Sequence, residues 1–390
     1  MVQRLRTRFI GGGRMQKIKV LHCGDFHFDT PFFGLTTAEA EKRKEDLRET
    51  FGRIVSIAKE EAVDLLLISG DFFDSEKVMK TTLEYIIKKL EEIPQVRIFI
   101  SPGNHDPYTY KSYYRLIQWP ANVHIFTSKL EGVRIPELDT YVYGIGFSKN
   151  HEKKPLLEDL QLENPCCINI MVLHGDVVSG EQDSDYNPIS IERIEKSQLD
   201  YLALGHRHSF SGINKTGSTY WSYSGNPEGR GFDELGAKGI VLGEISKDYC
   251  NLNFREICKR KYYEQVINIQ GAATYEEIVE KINDQINDPD RRRNLYKLVL
   301  QGELSEGFVL HSAVIAEKLE DRFYFLKLVD DTEAYVDYGE LSDSFSLKGV
   351  FVRTMQEKMS KAASLEEKKK LEFALKAGLR ALRDGEVTLE

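Results

Sequence analysis

The chain has 390 residues, of which 41% are hydrophobic and 29% charged, and its formal net charge is −9. This length and composition are typical of a globular protein of about two domains and exclude a largely disordered chain. No run approaches the roughly 20 apolar residues that a membrane span requires. The acidic balance argues against a passive nucleic-acid coat, although local basic patches could still bind nucleic acid.

Residues 1–14 are basic and lack the long apolar core of a secretory signal, so we predict a disordered N-terminal extension. The five cysteines form no CxxC pair, which favours a reducing compartment. We therefore expect a cytoplasmic protein whose folded part begins at residue 15.

Short apolar strands alternate with helices in the next part of the chain. We predict strands at 18–22, 64–69 and 96–101, a helix capped by Thr36 and Glu39 that runs towards Ala62, and a helix near 82–92. This alternation predicts right-handed crossovers between parallel strands, and ligands gather at the carboxyl ends of the strands in such a sheet.

Later strands lie closer together with fewer helices, at 140–145, 168–174, 201–205, 219–224, 239–245 and 250–257. They predict a second, more antiparallel sheet packed against the first. The expected fold class is α/β, with residues 15–260 forming a two-sheet α/β sandwich.

From residue 261 the pattern changes to a smaller α/β unit, predicted over 261–350, followed by a helical segment at 351–390. Ser364 and Glu367 cap the final helix, and a leucine stripe follows on one face at Leu371, Leu375, Leu379 and Leu382. Such a stripe suits either docking of a partner helix or burial against its own domain.

Seven potential metal ligands fall in five motifs, each after an apolar run: Gly24-Asp25-Phe26-His27, Gly70-Asp71, Gly103-Asn104-His105-Asp106, Leu173-His174-Gly175-Asp176 and Gly205-His206-Arg207-His208. Carboxylate, imidazole and amide ligands without thiolates suit divalent ions such as Mn²⁺. Two such ions ~3.5–4 Å apart share a carboxylate, clamp a phosphoryl group and activate water. The set therefore predicts a two-metal phosphoesterase.

We predict Asp71 as the bridge between the two ions, because it follows a buried strand with only Gly70 as a pivot. One ion would also bind Asp25, His27 and His208, and the other Asn104, His174 and His206. The i, i+2 spacing of two of these pairs predicts that both side chains lie on one side of an extended segment. The glycine before each motif would let the backbone turn sharply into the site.

His105 lies next to a ligand and is the candidate general acid or transition-state donor. Asp106 would orient the His105 ring and hold it protonated. The alternative for His105 is a purely structural role in positioning the peptide. His22, a strand residue beside the motifs, is expected in the core or behind the ligands.

The motifs resemble the calcineurin-like metallophosphoesterase superfamily, and their order and spacing match over about residues 17–210. That superfamily includes protein phosphatases, cyclic-nucleotide phosphodiesterases and nucleases. The protein phosphatases place an arginine–glycine pair just after the second aspartate motif, whereas here Asp71 is followed by Phe72-Phe73-Asp74-Ser75-Glu76. This difference argues against a protein phosphatase.

Two further segments are similar to the SbcD-type DNA repair exonucleases, in particular the YhaO-like ones. They are residues 22–35 and the run Tyr223-Ser224-Gly225-Asn226-Pro227 with Arg230, Glu234 and Gly239; the family usually has proline and serine in place of Ser224 and Asn226. The resemblance implies an Mn²⁺-dependent DNA nuclease acting in DNA repair, a homodimer, and a coiled-coil ATPase partner of the SbcC type. It also implies that the unit at 261–350 is a capping domain.

Two alternatives stay open. One is a phosphodiesterase of cyclic nucleotides or similar small esters, which the capping domain and terminal helix make less favoured. The other is a scaffold that regulates an ATPase partner without cleaving, against which the complete ligand set argues.

Overall fold

The computed structural model describes residues 9–10, 13–14, 16–179, 184–286, 288–333 and 335–384. The chain divides into two compact units, formed by Met1–Glu264 with Arg292–Tyr296 and by Gln265–Arg291 with Lys297–Glu390. In the described part of the chain, no helix is long and apolar enough to span a membrane. Of the predicted N-terminal extension, residues 9–10 pair with 13–14, and the rest lies outside the described residues.

The first unit contains the following strands, in chain order: β1 (Phe9–Ile10), β2 (Gly13–Arg14), β3 (Ile18–Cys23), β4 (Leu65–Ile68), β5 (Arg97–Ile100), β6 (Val123–Ile125), β7 (Glu131–Ile135), β8 (Thr140–Ile145), β9 (Ile168–His174), β10 (Asp176–Val178), β11 (Pro188–Ser190), β12 (Tyr201–Gly205), β13 (Asn214–Thr216), β14 (Thr219–Tyr223), β15 (Gly239–Ser246) and β16 (Tyr249–Glu256). Its helices are α1 (Thr37–Glu60), α2 (Lys80–Glu91), α3 (Tyr113–Leu116) and α4 (Ile191–Ser197), with a 3-10 turn at Pro136–Leu138. The predicted capping box is present at α1, where the Thr36 side chain accepts from the Glu39 backbone and the Glu39 side chain accepts from the Thr36 backbone.

Two six-stranded sheets form the centre of this unit, in the orders β16-β15-β3-β4-β5-β6 and β13-β14-β12-β9-β8-β7. The two-sheet α/β architecture predicted from the sequence is thus confirmed. The expectation of a more antiparallel second sheet is wrong, because β8, β9, β12 and β14 pair in parallel and only the edge strands β7 and β13 are antiparallel. The antiparallel hairpin β15–β16 that favoured this expectation belongs to the first sheet, where it pairs with β3.

Alternation along the strands explains how the two sheets stack. Residues of one parity fill the space between the sheets, among them Ile18, Val20, Leu65, Leu67, Ile170 and Val172. Residues of the other parity face outward, so Leu21, Leu66 and Ile68 pack against Phe51 and Ile54 of α1. On the far side, Met171 and Leu173 pack against Ile194 of α4. The result is a helix–sheet–sheet–helix sandwich in which the parallel strands of both sheets are buried on two faces.

The second unit has a three-stranded sheet in the order β17-β18-β19, formed by β17 (Tyr262–Asn268), β18 (Leu295–Glu303) and β19 (Phe325–Glu333). Its helices are α5 (Tyr275–Gln285), α6 (Asp288–Arg291), α7 (Ser312–Leu319), α8 (Tyr338–Asp343), α9 (Leu347–Ser360) and α10 (Leu365–Asp384), with a 3-10 turn at Glu320–Arg322. Most of α9 lies within the helical segment predicted at 351–390, although the sequence did not indicate a separate helix there, and α9 begins at Leu347.

The leucine stripe of the final helix packs within its own unit. Leu375 is buried together with Val352 and Met355 of α9, and Leu371 and Leu379 pack against the same cluster. This packing favours burial of the stripe against its own domain over docking of a partner helix, because α9 already covers the face that a partner helix would contact.

Candidate metal centre

The structure brings the seven predicted ligands together at the carboxyl ends of five parallel strands from both sheets. Asp25 and His27 follow β3, Asp71 follows β4 and Asn104 follows β5. From the second sheet, His174 ends β9, while His206 and His208 follow β12. Their side chains are mostly buried: Asp25, His27 and His174 are fully inaccessible and Asp71 is 2% exposed. The stacking of the two sheets therefore joins motifs that are far apart in sequence.

The described residues contain three groups of possible metal donors here, one of which combines His27 with Asp74 and His105. The other two groups consist of predicted ligands only. One candidate group contains Asp25, His27 and His208, and another contains Asp25, Asp71 and His174; within each, the ligand atoms lie within 4.8 Å of one another. Asn104 Oδ1 lies 2.9 Å from His174 Nε2. Asp71 Oδ2 lies 3.6 Å from His27 Nε2 and 3.4 Å from His174 Nε2. Asp25 belongs to both of these groups, and Asp71 Oδ2 faces one histidine of each. The bridging role of Asp71 stays a prediction.

The backbone at the ligands is strained rather than extended. The φ angle is 52° at Asp25, 49° at His27, 46° at Asp71 and 110° at His206. For residues other than glycine, left-handed backbone costs about 1–2 kcal/mol each, and such strain is concentrated at functional sites. The predicted geometry of the i, i+2 pairs is wrong in this respect, since the chain turns at these residues instead of running straight.

Gly70 is the glycine that the turn into the site requires. Its φ is +93°, and a β carbon would lie 2.5 Å from His174 Nδ1, so neither the conformation nor the space admits a side chain. The other glycines that precede a motif lack a positive φ and serve close packing instead, since a β carbon would overlap a neighbour at Gly24, Gly103 and Gly205.

Two of the histidines are oriented by a partner on the nitrogen that points away from the site. His174 Nδ1 lies 2.9 Å from the Ser69 carbonyl oxygen, which accepts its proton and leaves Nε2 facing Asp71. His208 Nδ1 lies 2.7 Å from Glu234 Oε1, and His208 Nε2 faces His27 Nε2 at 3.3 Å. Metal-binding histidines in proteins are held in this way, with the second nitrogen on a carbonyl or carboxylate.

The electrostatics of the site follow from its burial. Burial raises the pKa of Asp25, although His208 and His174 oppose the shift. Burial lowers the pKa of His206 to about 4, and it also lowers the pKa of His27 well below its usual range. His27 and His206 are therefore neutral donors beside buried carboxylates, whereas the pKa of His208 is raised because its hydrogen bond to Glu234 and the nearby Asp25 outweigh burial.

His105 lies at the accessible rim of the site. Its backbone N–H donates to Asp71 Oδ1 at 2.9 Å, and its ring Nδ1 lies 3.2 Å from the Asp74 carbonyl oxygen. The ring packs edge-on against His27, with 4.7 Å between the ring centroids. The side chain is exposed, so its Nε2 is free to meet a bound substrate.

Asp106 has different partners from those predicted. Its carboxylate accepts from the backbone N–H groups of Gly103, Phe72 and Phe73 and from the Tyr114 hydroxyl. Burial raises the pKa of Asp106 to about 6. The structure therefore corrects the predicted role: Asp106 ties the loop after β5 to the loop after β4, while the His105 ring is oriented by the Asp74 carbonyl oxygen.

A family model described as calcineurin-like phosphoesterase matches residues 18–210. The chain carries a calcineurin-like phosphoesterase domain. This match confirms the superfamily resemblance and covers every ligand position of the site. Members of this family are metal-dependent, and the donor clusters of this domain are candidate sites for divalent metals.

The chain is also similar to curated proteins over most of its length. It is 25% identical over 352 residues to the uncharacterized metallophosphoesterase YhaO of Bacillus subtilis strain 168, covering 83% of this chain and 84% of that protein. It is 27% identical over 342 residues to the DNA double-strand break repair protein Mre11 of Saccharolobus solfataricus, covering 82% and 84%. Among solved structures, TT1561 of Thermus thermophilus aligns with a TM-score of 0.40 and 11% identity, covering 62% of this chain and 99% of that one.

Three residues of the phosphoesterase domain support the ligands and were not assigned this role from the sequence. Glu234 holds His208, and Arg230 pairs with the same carboxylate at 2.9 Å. Asp74 Oδ1 lies 3.2 Å from His27 Nδ1 and 3.6 Å from Arg230 Nη1. Spacing offered no signal for these contacts, because residues 230–234 reach the site through the loop after β14. The family resemblance drew attention to Arg230 and Glu234 but attached no function to them.

His22 lies behind the ligands, as expected. It is fully buried, with Nδ1 2.8 Å from the Tyr201 hydroxyl and Nε2 3.0 Å from Ser69 Oγ. Burial lowers the pKa of His22 to about 3, so the ring is neutral and structural. His22 thus holds the hydroxyl of Ser69, and the carbonyl oxygen of the same serine orients His174.

The donor set fits divalent cations in its spacing as well as its chemistry. His174 Nε2 and Asn104 Oδ1 are both acceptors at 2.9 Å, and His27 Nε2 and His208 Nε2 face each other at 3.3 Å. Acceptors repel at such distances unless a cation or a shared proton lies between them. A separation near 3 Å is expected for neighbouring ligands of one ion with bonds of about 2.1 Å.

Proposed function

We propose that this protein is an Mn²⁺-dependent DNA nuclease that hydrolyses phosphodiester bonds at a two-metal centre. The observation that carries the proposal is the pair of donor groups that share Asp25 and both face Asp71, at the carboxyl ends of strands from two stacked sheets. The proposed ligands are Asp25, His27, Asp71, Asn104, His174, His206 and His208. Oxygen and imidazole donors without thiolates are compatible with Mn²⁺, and the family resemblance supplies the choice of this ion.

DNA is proposed as the substrate on the strength of the relatives. The Mre11 proteins that the chain resembles are named as DNA double-strand break repair proteins, and the similarity covers more than four-fifths of both chains in the Saccharolobus solfataricus case. The similarity extends beyond the phosphoesterase domain. This supports a shared activity on DNA and not only a shared catalytic domain.

The residues of this chain would divide the chemistry among them. Two divalent ions held by the seven ligands supply positive charge for the phosphate and activate water at neutral pH. The Asp71 carboxylate accepts from the His105 backbone N–H, and this hydrogen bond places the His105 ring beside the site. The Asp74 carbonyl oxygen accepts from His105 Nδ1, which leaves Nε2 for the substrate. To act as the general acid, His105 would be protonated on both ring nitrogens and would give the Nε2 proton to the leaving oxygen.

We further propose that the chain acts in DNA repair in the cytoplasm, as a homodimer, with a coiled-coil ATPase of the SbcC type. These proposals rest on the family resemblance. The burial of Leu375 against α9 means that such an ATPase would bind a surface other than the leucine stripe. Light scattering of the purified chain and copurification with the ATPase test the two assemblies.

The test of the proposed function is cleavage of end-labelled linear duplex DNA, with and without Mn²⁺, by wild type and two variants. Asp71→Asn should lose both Mn²⁺ binding and cleavage, because this carboxylate belongs to one donor group and faces His27 of the other at 3.6 Å. His105→Ala should keep Mn²⁺ binding and lose about 10²–10⁴-fold in cleavage rate, the range for a general acid. His311→Ala, an exposed histidine of the second unit, is the matched control and should behave as wild type.

The outcomes separate the alternatives. Hydrolysis of bis(p-nitrophenyl) phosphate without cleavage of any DNA would replace the nuclease by a small-ester phosphodiesterase. Failure to bind Mn²⁺ or to hydrolyse either substrate, with or without the ATPase, would favour a non-cleaving scaffold.

A further inference from the structure

The loop that follows the third motif has a composition unlike the rest of this acidic chain. Residues 107–120 contain four tyrosines and one tryptophan, two cations and no carboxylate, in a chain whose net charge is −9. The two cations, Lys111 and Arg115, are both exposed. Among the described residues, neither of them forms an ion pair with a carboxylate. The loop is therefore a local positive patch with aromatic rings.

Tyr110 is the ring that faces solvent. It is 72% exposed, an unusual position for a large aromatic side chain. Lys111 Nζ lies 5.4 Å from its ring centroid. A second cation–ring pair lies beside it, with Arg115 Cζ 5.8 Å from the ring centroid of Tyr108.

The loop is held rigidly on the active-site side of the domain. The Tyr108 backbone N–H donates to the Phe147 carbonyl oxygen at 2.8 Å, and the buried Tyr114 hydroxyl donates to Asp106 at 2.5 Å. Asp106 in turn accepts from the backbone N–H groups of the loop that follows Asp71. The exposed ring therefore stands on a fixed support and not on a free segment, which limits the entropy lost when a ligand stacks on it.

Tyr110 is close enough to the proposed catalytic residue to contact the same substrate. It is five residues after His105, so their Cα atoms lie at most about 18 Å apart. This distance corresponds to roughly five base steps at the 3.4 Å spacing of duplex DNA, and to fewer nucleotides of an extended single strand. A nucleotide near the scissile bond would thus reach the ring.

We propose that the Tyr108–Tyr110–Lys111–Arg115 surface binds an unpaired stretch of the DNA strand, with a base stacked on Tyr110 and phosphates beside Lys111 and Arg115. The inference rests on the proposed nuclease function and adds single-stranded DNA next to the cleaved bond as the recognised element. Flat rings with unpaired cations match the two parts of a single strand, because each unpaired base presents a π face and each linkage a negative charge. A duplex would offer the phosphates but keep its base faces stacked.

The test compares wild type and variants in their affinity for a fluorescein-labelled oligothymidylate of twelve nucleotides. Binding is measured by fluorescence anisotropy, in EDTA to prevent cleavage. Tyr110→Ala should weaken binding about 5- to 150-fold, the effect of losing one stacked base. Tyr110→Phe should bind as wild type, because the ring face is retained. Tyr249→Ala is the matched control. Tyr249 is also an exposed tyrosine with a cation near its ring, since Lys17 Nζ lies 4.8 Å from the ring centroid.

A second readout uses catalysis. In Mn²⁺, Tyr110→Ala should raise the KM for the oligonucleotide and leave hydrolysis of bis(p-nitrophenyl) phosphate unchanged, because the small ester does not extend to the loop. Equal oligonucleotide affinity in Tyr110→Ala and wild type, or equal losses in Tyr110→Ala and Tyr110→Phe, would overturn the proposal. A change of molar mass in Tyr110→Ala with unaltered oligonucleotide affinity would assign the surface to a contact between copies and also overturn it. Oligonucleotide binding that depends on Tyr110 in a protein that cleaves only the small ester would support this proposal and refute the nuclease function.

Discussion

Replacement of Glu234 by glutamine should weaken Mn²⁺ binding without removing a ligand. Glu234 accepts from the Asn226 side chain, from the backbone and side chain of Arg230, and pairs with His208 Nδ1 at 2.7 Å. Glutamine has the same shape but lacks the charge that fixes the His208 proton on Nδ1. Loss of such a carboxylate typically costs 10- to 100-fold in metal affinity, or about 1.4–2.8 kcal/mol.

The pH dependence of this loss has a defined sign. Burial lowers the pKa of His208, but the hydrogen bond to Glu234 and the nearby Asp25 outweigh it and raise the pKa above its usual value of 6.5. A protonated imidazole does not bind a metal, so wild-type affinity should fall as the pH drops through this raised pKa. In Glu234→Gln the His208 pKa is lower and this competition sets in only at lower pH. The gap between wild type and variant should therefore be largest near pH 8 and narrow towards pH 6.

Isothermal titration of Mn²⁺ at pH 6, 7 and 8 measures both effects. Asp233→Asn is the matched control, because it removes the same charge from the neighbouring exposed residue. A loss of less than twofold at pH 8, or a gap that does not change with pH, would refute the assignment of Glu234 as the residue that orients His208.

Two further substitutions test the backbone and the buried charges. Gly70→Ala should destabilise the protein by about 1–3 kcal/mol and reduce Mn²⁺ affinity by more than tenfold, because residue 70 has a left-handed backbone and its β carbon would displace His174. The control Gly212→Ala, at φ +78° with open space around it, should show the backbone cost in urea unfolding but bind Mn²⁺ normally. Arg43→Met should cost about 3–5 kcal/mol, because the fully buried Arg43 guanidinium lies 2.9 Å from the equally buried Glu228 carboxylate, which would be left unpaired. Adding Glu228→Gln to Arg43→Met should restore part of the lost thermal stability, and an unchanged melting temperature in the single variant would contradict this view of the pair.

Much of the fold could be read from local pattern. Apolar runs of four to eight residues predicted the strands, and those at 140–145, 168–174 and 201–205 coincide with the observed ones. The caps of α1 and α10 were equally visible, since a capping box involves residues only three apart and depends on no distant contact. Strand pairing was not visible in this way. The hairpin β15–β16 went to the wrong sheet, because an apolar strand with little side-chain asymmetry does not specify its neighbour.

The candidate site shows the same division. Residue type and the position of each motif after a strand were enough to predict that the seven side chains come together, because parallel strands end at a common edge. Metal binding by these side chains stays a prediction. Tertiary packing alone decided the roles of Asp106 and Glu234. Asp106 lies one residue from His105, yet its carboxylate turns to the backbone of another loop, and Glu234 reaches His208 from a segment with no recognisable motif.

The physical reason is that the amino-acid sequence by itself determines what is local or periodic: the strands, the caps, and the chemical identity of the side chains at the strand ends. It does not determine which hydrogen-bond acceptor a buried N–H or imidazole will find, because that depends on how two sheets stack and which loops they bring together. A buried polar group must be paired wherever a partner is available. The oriented histidines, the strained backbone at the ligands and the anchored Asp106 are therefore products of the tertiary structure.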